Sequence, residues 1–204
     1  MFEFKVLILC RRSLVSPAIT PPLASGSAAG EAREAMTDFL VHLVCGSTGA
    51  GKTTYAEALS KRIGGVRFSI DEWMTGLFWM DSPQPIEAAW SMERVERCMA
   101  LIWSTAVRIA ERRVPCVLDM GLSQAASRAR FVGLAREQGL STQLHFVDVP
   151  AQERWRRVEE RNRAKGGSNH LPFNVTREMF DFVESLWEPP SDAELAASNG
   201  VRIS

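Results

Sequence analysis

The chain has no excess charge and no long apolar run, and each absence excludes a class of protein. Its 204 residues include 24 basic and 24 acidic side chains, so the formal net charge is zero. A zero net charge leaves no overall electrostatic footprint for binding nucleic acid. The longest apolar run is far too short to span a bilayer. We therefore expect a cytoplasmic protein that partners neither a membrane nor a nucleic acid.

Cysteine and histidine are also scarce. The 4 cysteines form no C-x-x-C pair, and the 3 histidines lack the spacing of metal ligands. Cys45 and Cys116 fall in apolar runs that predict buried strands, as expected for small core residues in a reducing compartment. His42 and His145 also fall in predicted strands, which favours core or edge positions. Neither residue type indicates a metal centre or a disulfide framework.

The first 35 residues differ in composition from the rest of the chain. A short apolar piece is followed by a stretch rich in Pro, Ala, Ser and Gly. The piece at 4–10 is short for a signal peptide, and its basic residues follow it instead of preceding it. We expect residues 1–35 to be a disordered tail or an upstream-start artefact. Residues 36–204 are expected to form one domain, starting at Met36, with a sizeable core.

Three glycines, a lysine and two threonines follow an apolar run at 39–45. That run predicts a strand buried on both faces. Residues 46–53, GSTGAGKT, match G-x-x-x-x-G-K-[ST] at every fixed position. Residues 54–63 then carry apolar side chains at a spacing of four, which predicts a helix. A strand, a glycine loop and a helix in this order are the context that a phosphate-binding P-loop requires.

The composition of this loop suits the binding of a triphosphate. Glycines allow backbone conformations that β-carbons disfavour, so that N–H groups can converge on an anion at a helix N-terminus. Lys52 can reach the β- and γ-phosphates, and the Thr53 hydroxyl can ligate Mg²⁺. We expect ATP and Mg²⁺ as cofactors. The residues expected to bind the nucleotide are Gly46, Ser47, Thr48, Gly49, Ala50, Gly51, Lys52, Thr53 and Thr54.

Strands and helices alternate after the P-loop. Further strands are expected at 66–70, 114–119, 143–149 and 201–203. Further helices are expected at about 86–113, at 123–138 with Ser123 as the cap, at 151–163, and at 177–186 with Thr176 as the cap. The alternation predicts a three-layer α/β/α fold with a mainly parallel sheet, that of a P-loop NTPase of the nucleotide-kinase type with a lid.

Two aspartates follow predicted strands, at the sheet edge where open α/β folds hold their ligands. Asp71 could accept the proton of a hydroxyl that attacks the γ-phosphate. Alternatively, it only caps the helix that starts at Glu72. Asp119 ends the Walker-B-like run VPCVLD and could orient Mg²⁺ or polarise the Thr53 hydroxyl. The alternative for Asp119 is a strand-end aspartate in a turn.

A basic helix with a glycine-containing continuation follows the fourth predicted strand, in the segment ERWRRVEERNRAKGG. Arg157 and Arg161 are four residues apart and therefore share one face of the helix. We expect a lid over about residues 151–172, whose arginines neutralise the transferring phosphoryl group. The alternative is a solvated helix held by ion pairs between its turns.

The ordered motifs GSTGAGKTT, SIDEW, VLDMGLSQAASR, FVDVP, RRVEERN and EPP resemble those of the AAA-type family of small ATP-binding P-loop kinases. That family is similar to the zeta-toxin, chloramphenicol phosphotransferase and polynucleotide 5′-kinase group. The resemblance covers about residues 36–190. It implies that Asp71 is the acceptor-side base, that Arg157 and Arg161 are lid arginines, and that Arg128 faces the acceptor.

We therefore expect an ATP-dependent phosphotransferase that acts on a hydroxyl of a small molecule. The expected catalytic residues are Asp71, Lys52, Arg157 and Arg161. Trp73 follows the Asp71–Glu72 pair and is expected to line the acceptor pocket. Zeta toxins and polynucleotide kinases have an arginine beside the aspartate after strand 2, and its absence here argues against an anionic acceptor. Two alternatives stay open, namely a polynucleotide 5′-kinase or nucleotide-sugar kinase, and a non-catalytic nucleotide-binding switch.

Overall fold

The computed structural model describes residues 40–164 and 174–204. Within these ranges the strands are β1 Leu40–Cys45, β2 Val66–Ser69, β3 Cys116–Asp119, β4 Ser141–Val147 and β5 Val201–Ile203. The helices are α1 Lys52–Ile63, α2 Ile70–Phe78, α3 Ala88–Ala110, α4 Ala125–Glu137, α5 Ala151–Arg163, α6 Arg177–Ser185 and α7 Asp192–Ala197. The predictions for residues 1–35, and for the lid beyond residue 164, lie outside the described residues. No helix in these ranges is long and apolar enough to cross a membrane.

The strands form a single parallel sheet in the order β2-β3-β1-β4-β5. β1 lies in the middle, with Val44 opposite Asp119 on one side and His145 on the other. A central strand is covered on both faces, which explains why the sequence of β1 is apolar without alternation. All strands end at the same edge of the sheet, so the residues that follow β1, β2 and β3 are brought together there.

Helices cover both faces of the sheet. Alternate side chains of a strand point to opposite faces. Val41 and Leu43 of β1 therefore pack in the large apolar cluster that includes α3, while Val44 packs in a second cluster with Ala56 and Leu59 of α1. The predicted three-layer α/β/α architecture with a parallel sheet is confirmed.

The boundary between β2 and α2 differs from the prediction in a way that bears on the site. β2 ends at Ser69 and α2 begins directly at Ile70. The Ser69 hydroxyl accepts a hydrogen bond from the Glu72 N–H and so serves as the N-cap. Asp71 therefore lies in the first turn of α2 and is not the residue that caps it.

The start of α4 also differs from the prediction, which had Ser123 as its cap. The N-cap residue is Gln124, and its side chain makes no capping bond. The Ala125 N–H instead donates to the Glu188 carboxylate at 2.8 Å. A carboxylate distant in sequence thus takes the place of a local cap, which a sequence pattern cannot indicate.

Helices α5 and α6 pack together through a small apolar cluster of their own. Val158 of α5 lies against Met179, Phe180 and Val183 of α6. Thr176 caps α6 as predicted, with its hydroxyl accepting from the Met179 N–H. The two helices form a unit separate from the main core, which we call the α5–α6 pair.

Candidate functional site

The P-loop joins β1 to α1 with backbone conformations that require glycine. Gly51 is the N-cap residue of α1 with φ 92°, and Gly49 has φ 80°. Both values lie in the left-handed region that glycine adopts without steric cost. A β-carbon at Gly49 would also lie 2.5 Å from the Arg154 carbonyl oxygen. Two glycines of the motif are thus required by the shape of the loop and by the helix that packs against it.

A cavity of about 880 Å³ opens over the P-loop at the carboxyl edge of the sheet. One part of its lining is formed by the P-loop and the start of α1, and another by the first two turns of α2. The predicted site residues that line the cavity are Gly49, Ala50, Gly51, Lys52, Thr53, Thr54, Asp71, Asp119, Arg157 and Arg161. Ser47 and Thr48 of the loop are buried, with 3% and 2% of their surface exposed, and do not line the cavity.

Thr53 and Asp119, the two predicted metal ligands, meet at the base of the cavity. The Thr53 hydroxyl donates to Asp119 Oδ2 at 3.0 Å. A hydroxyl and a carboxylate supply the hard oxygen ligands that Mg²⁺ prefers. Lys52 lies beside them and donates from Nζ to the Ser47 carbonyl oxygen at 3.1 Å. The donor set fits Mg²⁺, and the assignment of both ligands stays a prediction.

Burial and opposite charge act against each other in this cluster. Burial raises the pKa of Asp119, while the Lys52 ammonium and the Thr53 hydroxyl act to lower it. Burial likewise lowers the pKa of Lys52, and the carboxylates of Asp119 and Asp71 oppose that shift. The charges therefore depend on one another, and Coulomb interactions are strong because little water screens them.

Arg67 of β2 belongs to the same cluster, although no motif marks it. Its Nη1 lies 3.7 Å from Asp119 Oδ2, and its Nη2 pairs with Glu72. Arg67 lies opposite Val117 in the β2–β3 register, two residues before Asp119. The membership of Arg67 in this cluster thus follows only from the order and register of the strands. A local sequence pattern does not reveal either of them.

Asp71 and Arg161 line the cavity from different elements. Arg161 Nη2 is buried and has no hydrogen-bond partner among the residues that the structure describes. Burial lowers the pKa of Arg161, and the negative charge of Asp71 opposes that shift. A buried guanidinium nitrogen without a partner is a group that an anionic ligand would satisfy.

Arg157 also reaches the P-loop, four residues before Arg161 on α5. Its Nη1 donates to the Ala50 carbonyl oxygen at 3.3 Å, and its Nε to Glu153 at 3.0 Å. Both ion-pair partners are largely solvated, so this pair holds the side chain only weakly. Arg157 and Arg161 thus both line the cavity, and their role as lid arginines stays a prediction.

The start of the predicted lid is a fixed wall behind the P-loop. Arg154 in the first turn of α5 is 4% exposed. It donates to both carboxylate oxygens of Glu184 and to the Thr48 carbonyl oxygen. Arg154 thus holds the start of α5 against the loop and α6, and the lid over residues 151–172 stays a prediction.

Two predicted acceptor residues lie elsewhere. Trp73 packs edge-on against Phe68, with ring centroids 6.2 Å apart, and adjoins the main core. Two helical positions correspond to about 200° of rotation, so Trp73 and Asp71 lie on opposite sides of α2. Arg128 is 1% exposed and is paired with Glu194 through Nε and Nη2. Neither residue lines this cavity, so this geometry lends no support to a contact with the acceptor, which stays a prediction.

The sheet order, the glycine loop and the charged cavity together define a P-loop NTPase fold. The AAA domain family matches residues 41–186, and the chain belongs to that family. No curated protein matches the chain at a significant level.

Solved structures show the same fold at low identity. Kti12 from Chaetomium thermophilum in complex with ADP-AlF3 has a TM-score of 0.61 at 16% identity, over 80% of this chain and 88% of that one. A chain of the Pnkp1/Rnl/Hen1 RNA repair complex has a TM-score of 0.54 at 16% identity, over 79% of this chain and only 45% of that one. A sugar kinase from Janibacter sp. HTCC2649 has a TM-score of 0.52 at 15% identity, over 81% and 84%. The presence of kinases among these structures agrees with the family of small P-loop kinases that the motifs resemble.

Proposed function

We propose that the protein is an ATP-dependent kinase that transfers the γ-phosphoryl group of ATP to a hydroxyl of a small molecule. The observation that supports this best is a carboxylate outside the P-loop that lines the same cavity as the P-loop lysine. Asp71 is released from a capping role because Ser69 caps α2, and it lines the cavity together with Lys52 and Asp119. A module that only binds nucleotide has no need of such a carboxylate.

The proposed reaction assigns a role to each wall of the cavity. The P-loop N–H groups and Lys52 bind the β- and γ-phosphates. Thr53 and Asp119 would hold Mg²⁺, which neutralises phosphate charge when bound. Asp71 accepts the proton of the acceptor hydroxyl. The hydroxyl oxygen bonds to the γ-phosphorus, the bond between that phosphorus and the bridging oxygen of ADP breaks, and ADP leaves. Arg161 and Arg157 compensate the negative charge of the phosphoryl group in transit.

The α2 wall favours an acceptor that carries no negative charge near its hydroxyl. Asp71, Glu72, Thr75 and Gly76 line this wall, and none of them is basic. An anionic acceptor would meet the Asp71 carboxylate there, since Glu72 is paired with Arg67, and the like charges would repel it. A neutral polyol or a hydroxyl compound with an amino group fits this wall better than a sugar phosphate or a 5′-OH nucleic-acid end.

The test replaces Asp71 by Asn after an ATP-consumption screen over hydroxyl compounds has supplied an acceptor. ATP affinity, measured by calorimetry, is expected to change much less than the rate of transfer, because Asp71 is not part of the P-loop. Transfer is expected to slow by roughly 10²–10⁴-fold, the contribution of a positioned general base. The lower end is expected, because a loose transition state needs less help from a base.

Asp81→Asn is the matched control. Asp81 is an exposed carboxylate just after α2 and does not line the cavity, so no effect on transfer is expected. Wild-type transfer by Asp71→Asn would overturn the assignment of the base. ATP binding without transfer to any compound in the screen would instead favour the nucleotide-binding switch.

A further inference from the structure

The rear of the P-loop is attached to the α5–α6 pair by a set of charged hydrogen bonds. The Ser47 hydroxyl donates to Glu184 Oε2 at 2.9 Å. Arg154 donates to Oε2 and Oε1 of the same carboxylate at 2.8 and 2.7 Å. Arg154 Nη1 also donates to the Thr48 carbonyl oxygen at 3.3 Å. We call this set the Ser47–Glu184–Arg154 network.

The network is partly buried, and the hydrogen-bonding groups of Arg154 all have acceptors. The Arg154 side chain is 5% exposed and that of Glu184 is 33% exposed. Arg154 Nε has its own acceptor, the Val149 carbonyl oxygen at 2.8 Å. Burial acts to raise the pKa of Glu184, but hydrogen bonds from Arg154 and Ser47 outweigh it and hold that pKa below its ordinary value. Bidentate charge-assisted bonds of this kind fix both partners in one orientation.

One P-loop residue connects the network to the phosphate site. The Ser47 carbonyl oxygen accepts from Lys52 Nζ at 3.1 Å, while its hydroxyl donates to Glu184. The next loop residues are held as well, since Thr48 accepts from Arg154 and Gly49 packs against the Arg154 backbone. Every loop residue from Ser47 to Gly49 therefore touches the α5–α6 pair or its network.

The α5–α6 pair is joined by an apolar contact as well as by the network. Val158, Met179, Phe180 and Val183 pack together, with Trp155 against them. Within the network the Arg154–Glu184 ion pair joins α5 to α6, while the Ser47 and Thr48 bonds attach the pair to the P-loop. Ser47→Ala removes only a bond to the loop, whereas a change at Glu184 also affects the contact between the two helices.

We propose that Glu184 is a positioning residue that sets the P-loop in the conformation that binds phosphate. A loop with three glycines has many accessible conformations, and only a narrow set directs its N–H groups at one anion. If the network is broken, fewer molecules have the loop in its binding-competent conformation. The apparent affinity for ATP then falls in proportion to the fraction of molecules that keep this conformation. The inference rests on nucleotide binding at this loop, which is part of the proposed function, and not on phosphoryl transfer.

The experiment compares Glu184→Ala and Ser47→Ala with the wild-type chain by calorimetric titration with ATP in the presence of Mg²⁺ and without an acceptor. Both variants are expected to bind ATP more weakly, by roughly tenfold for Glu184→Ala and several-fold for Ser47→Ala. The double variant is expected to lose less than the sum of the single losses, because both substitutions break one network. Glu184→Gln keeps an acceptor for Ser47 and is expected to restore part of the affinity.

Asp181→Ala is the matched control, since Asp181 is an exposed carboxylate of the same helix that pairs with Arg177. It is expected to leave ATP affinity unchanged. Melting temperatures of the variants without nucleotide show whether a loss of ATP affinity comes with a general loss of structure. If Glu184→Ala fails to fold, Ser47→Ala still tests the network. Wild-type ATP affinity in Ser47→Ala together with either Glu184 variant would overturn the inference. A wild-type chain that binds ATP but phosphorylates nothing would overturn the proposed function alone.

Discussion

At the scale of single residues, the base of the cavity is a group of opposite charges that are partly withdrawn from water. Lys52 neutralises Asp119, which in turn accepts from Thr53 and lies near Arg67. Removal of one member leaves buried Asp119 with fewer partners for its charge. Substitutions within this group are therefore expected to be non-additive, and each should be judged by ligand binding as well as by stability.

Replacement of Lys52 by Ala is expected to weaken ATP binding on the order of 100-fold, which corresponds to loss of a strong charge-assisted contact with the phosphates. Lys61→Ala is the control, because Lys61 is an exposed lysine in the last turn of the same helix. Calorimetry on both variants measures the difference. Equal ATP affinity in Lys52→Ala and the wild type would remove nucleotide binding from this loop.

At the scale of elements, the P-loop is shaped by two neighbours as well as by its own glycines. β1 and α1 hold its two ends, and the α5–α6 pair supports it from behind through Arg154 and Glu184. The same α5 then carries Arg157 and Arg161 towards the cavity. One helix thus contacts the rear of the loop with its first turn and lines the cavity with its later turns.

Gly49→Ala tests the contact between the loop and α5. The new β-carbon would lie 2.5 Å from the Arg154 carbonyl oxygen, at a φ of 80° that side chains disfavour. We expect stability to fall by about 1–3 kcal/mol from the strained backbone and the clash, and ATP affinity to fall with it. Urea unfolding and calorimetry measure the two effects.

Gly133→Ala provides the comparison for that substitution. Gly133 lies within α4, and a β-carbon there would meet nothing within 4 Å. Since glycine is a poor helix former, this variant is expected to be as stable as the wild type or more stable by about 0.5–1 kcal/mol. Equal stability and ATP affinity in the two variants would show that α5 does not constrain the loop.

At the scale of the whole molecule, a buried polar chain links the sheet to the P-loop helix. His42 Nδ1 and His145 Nε2 are 2.9 Å apart, and the Tyr55 hydroxyl lies 2.7 Å from His145 Nδ1. These residues belong to β1, β4 and α1, and the imidazoles are 6% and 2% exposed. Burial lowers the pKa of His42, and it lowers that of His145 to about 4, with the charge of His42 adding to the effect on His145. Both rings are therefore neutral in the folded protein near pH 7.

The stability of the protein is expected to fall as the pH drops from 6.5 towards 4. In this range the unfolded chain binds protons at His145 that the folded chain does not, so the free energy of unfolding rises with pH. The shift from 6.5 to about 4 corresponds to a loss of up to about 3 kcal/mol, complete below the folded pKa. Urea unfolding at several pH values measures the loss, and NMR of the imidazole protons identifies the residue. A His145 ring that titrates near pH 6.5 in the folded protein would contradict this account.

Much of the fold was predictable because its signals are local. The P-loop residues are consecutive, and their conformations follow from glycine and from the strand and helix beside them. The apolar runs of β1 and β4, the extent of α5 and the Thr176 cap of α6 were predictable for the same reason. The division at residue 36 stays a prediction, since the preceding residues lie outside the described range.

The roles of the arginines and of Trp73 were decided by tertiary structure. An arginine has a long side chain, and its role depends on which carboxylate or carbonyl oxygen lies within its reach. Glu194 engages Arg128 from 66 residues away in the chain, and Glu184 engages Arg154 from 30 residues away. Ser47 meets Glu184 across 137 residues. Such pairings depend on strand order and helix packing, because residues so far apart share no local pattern.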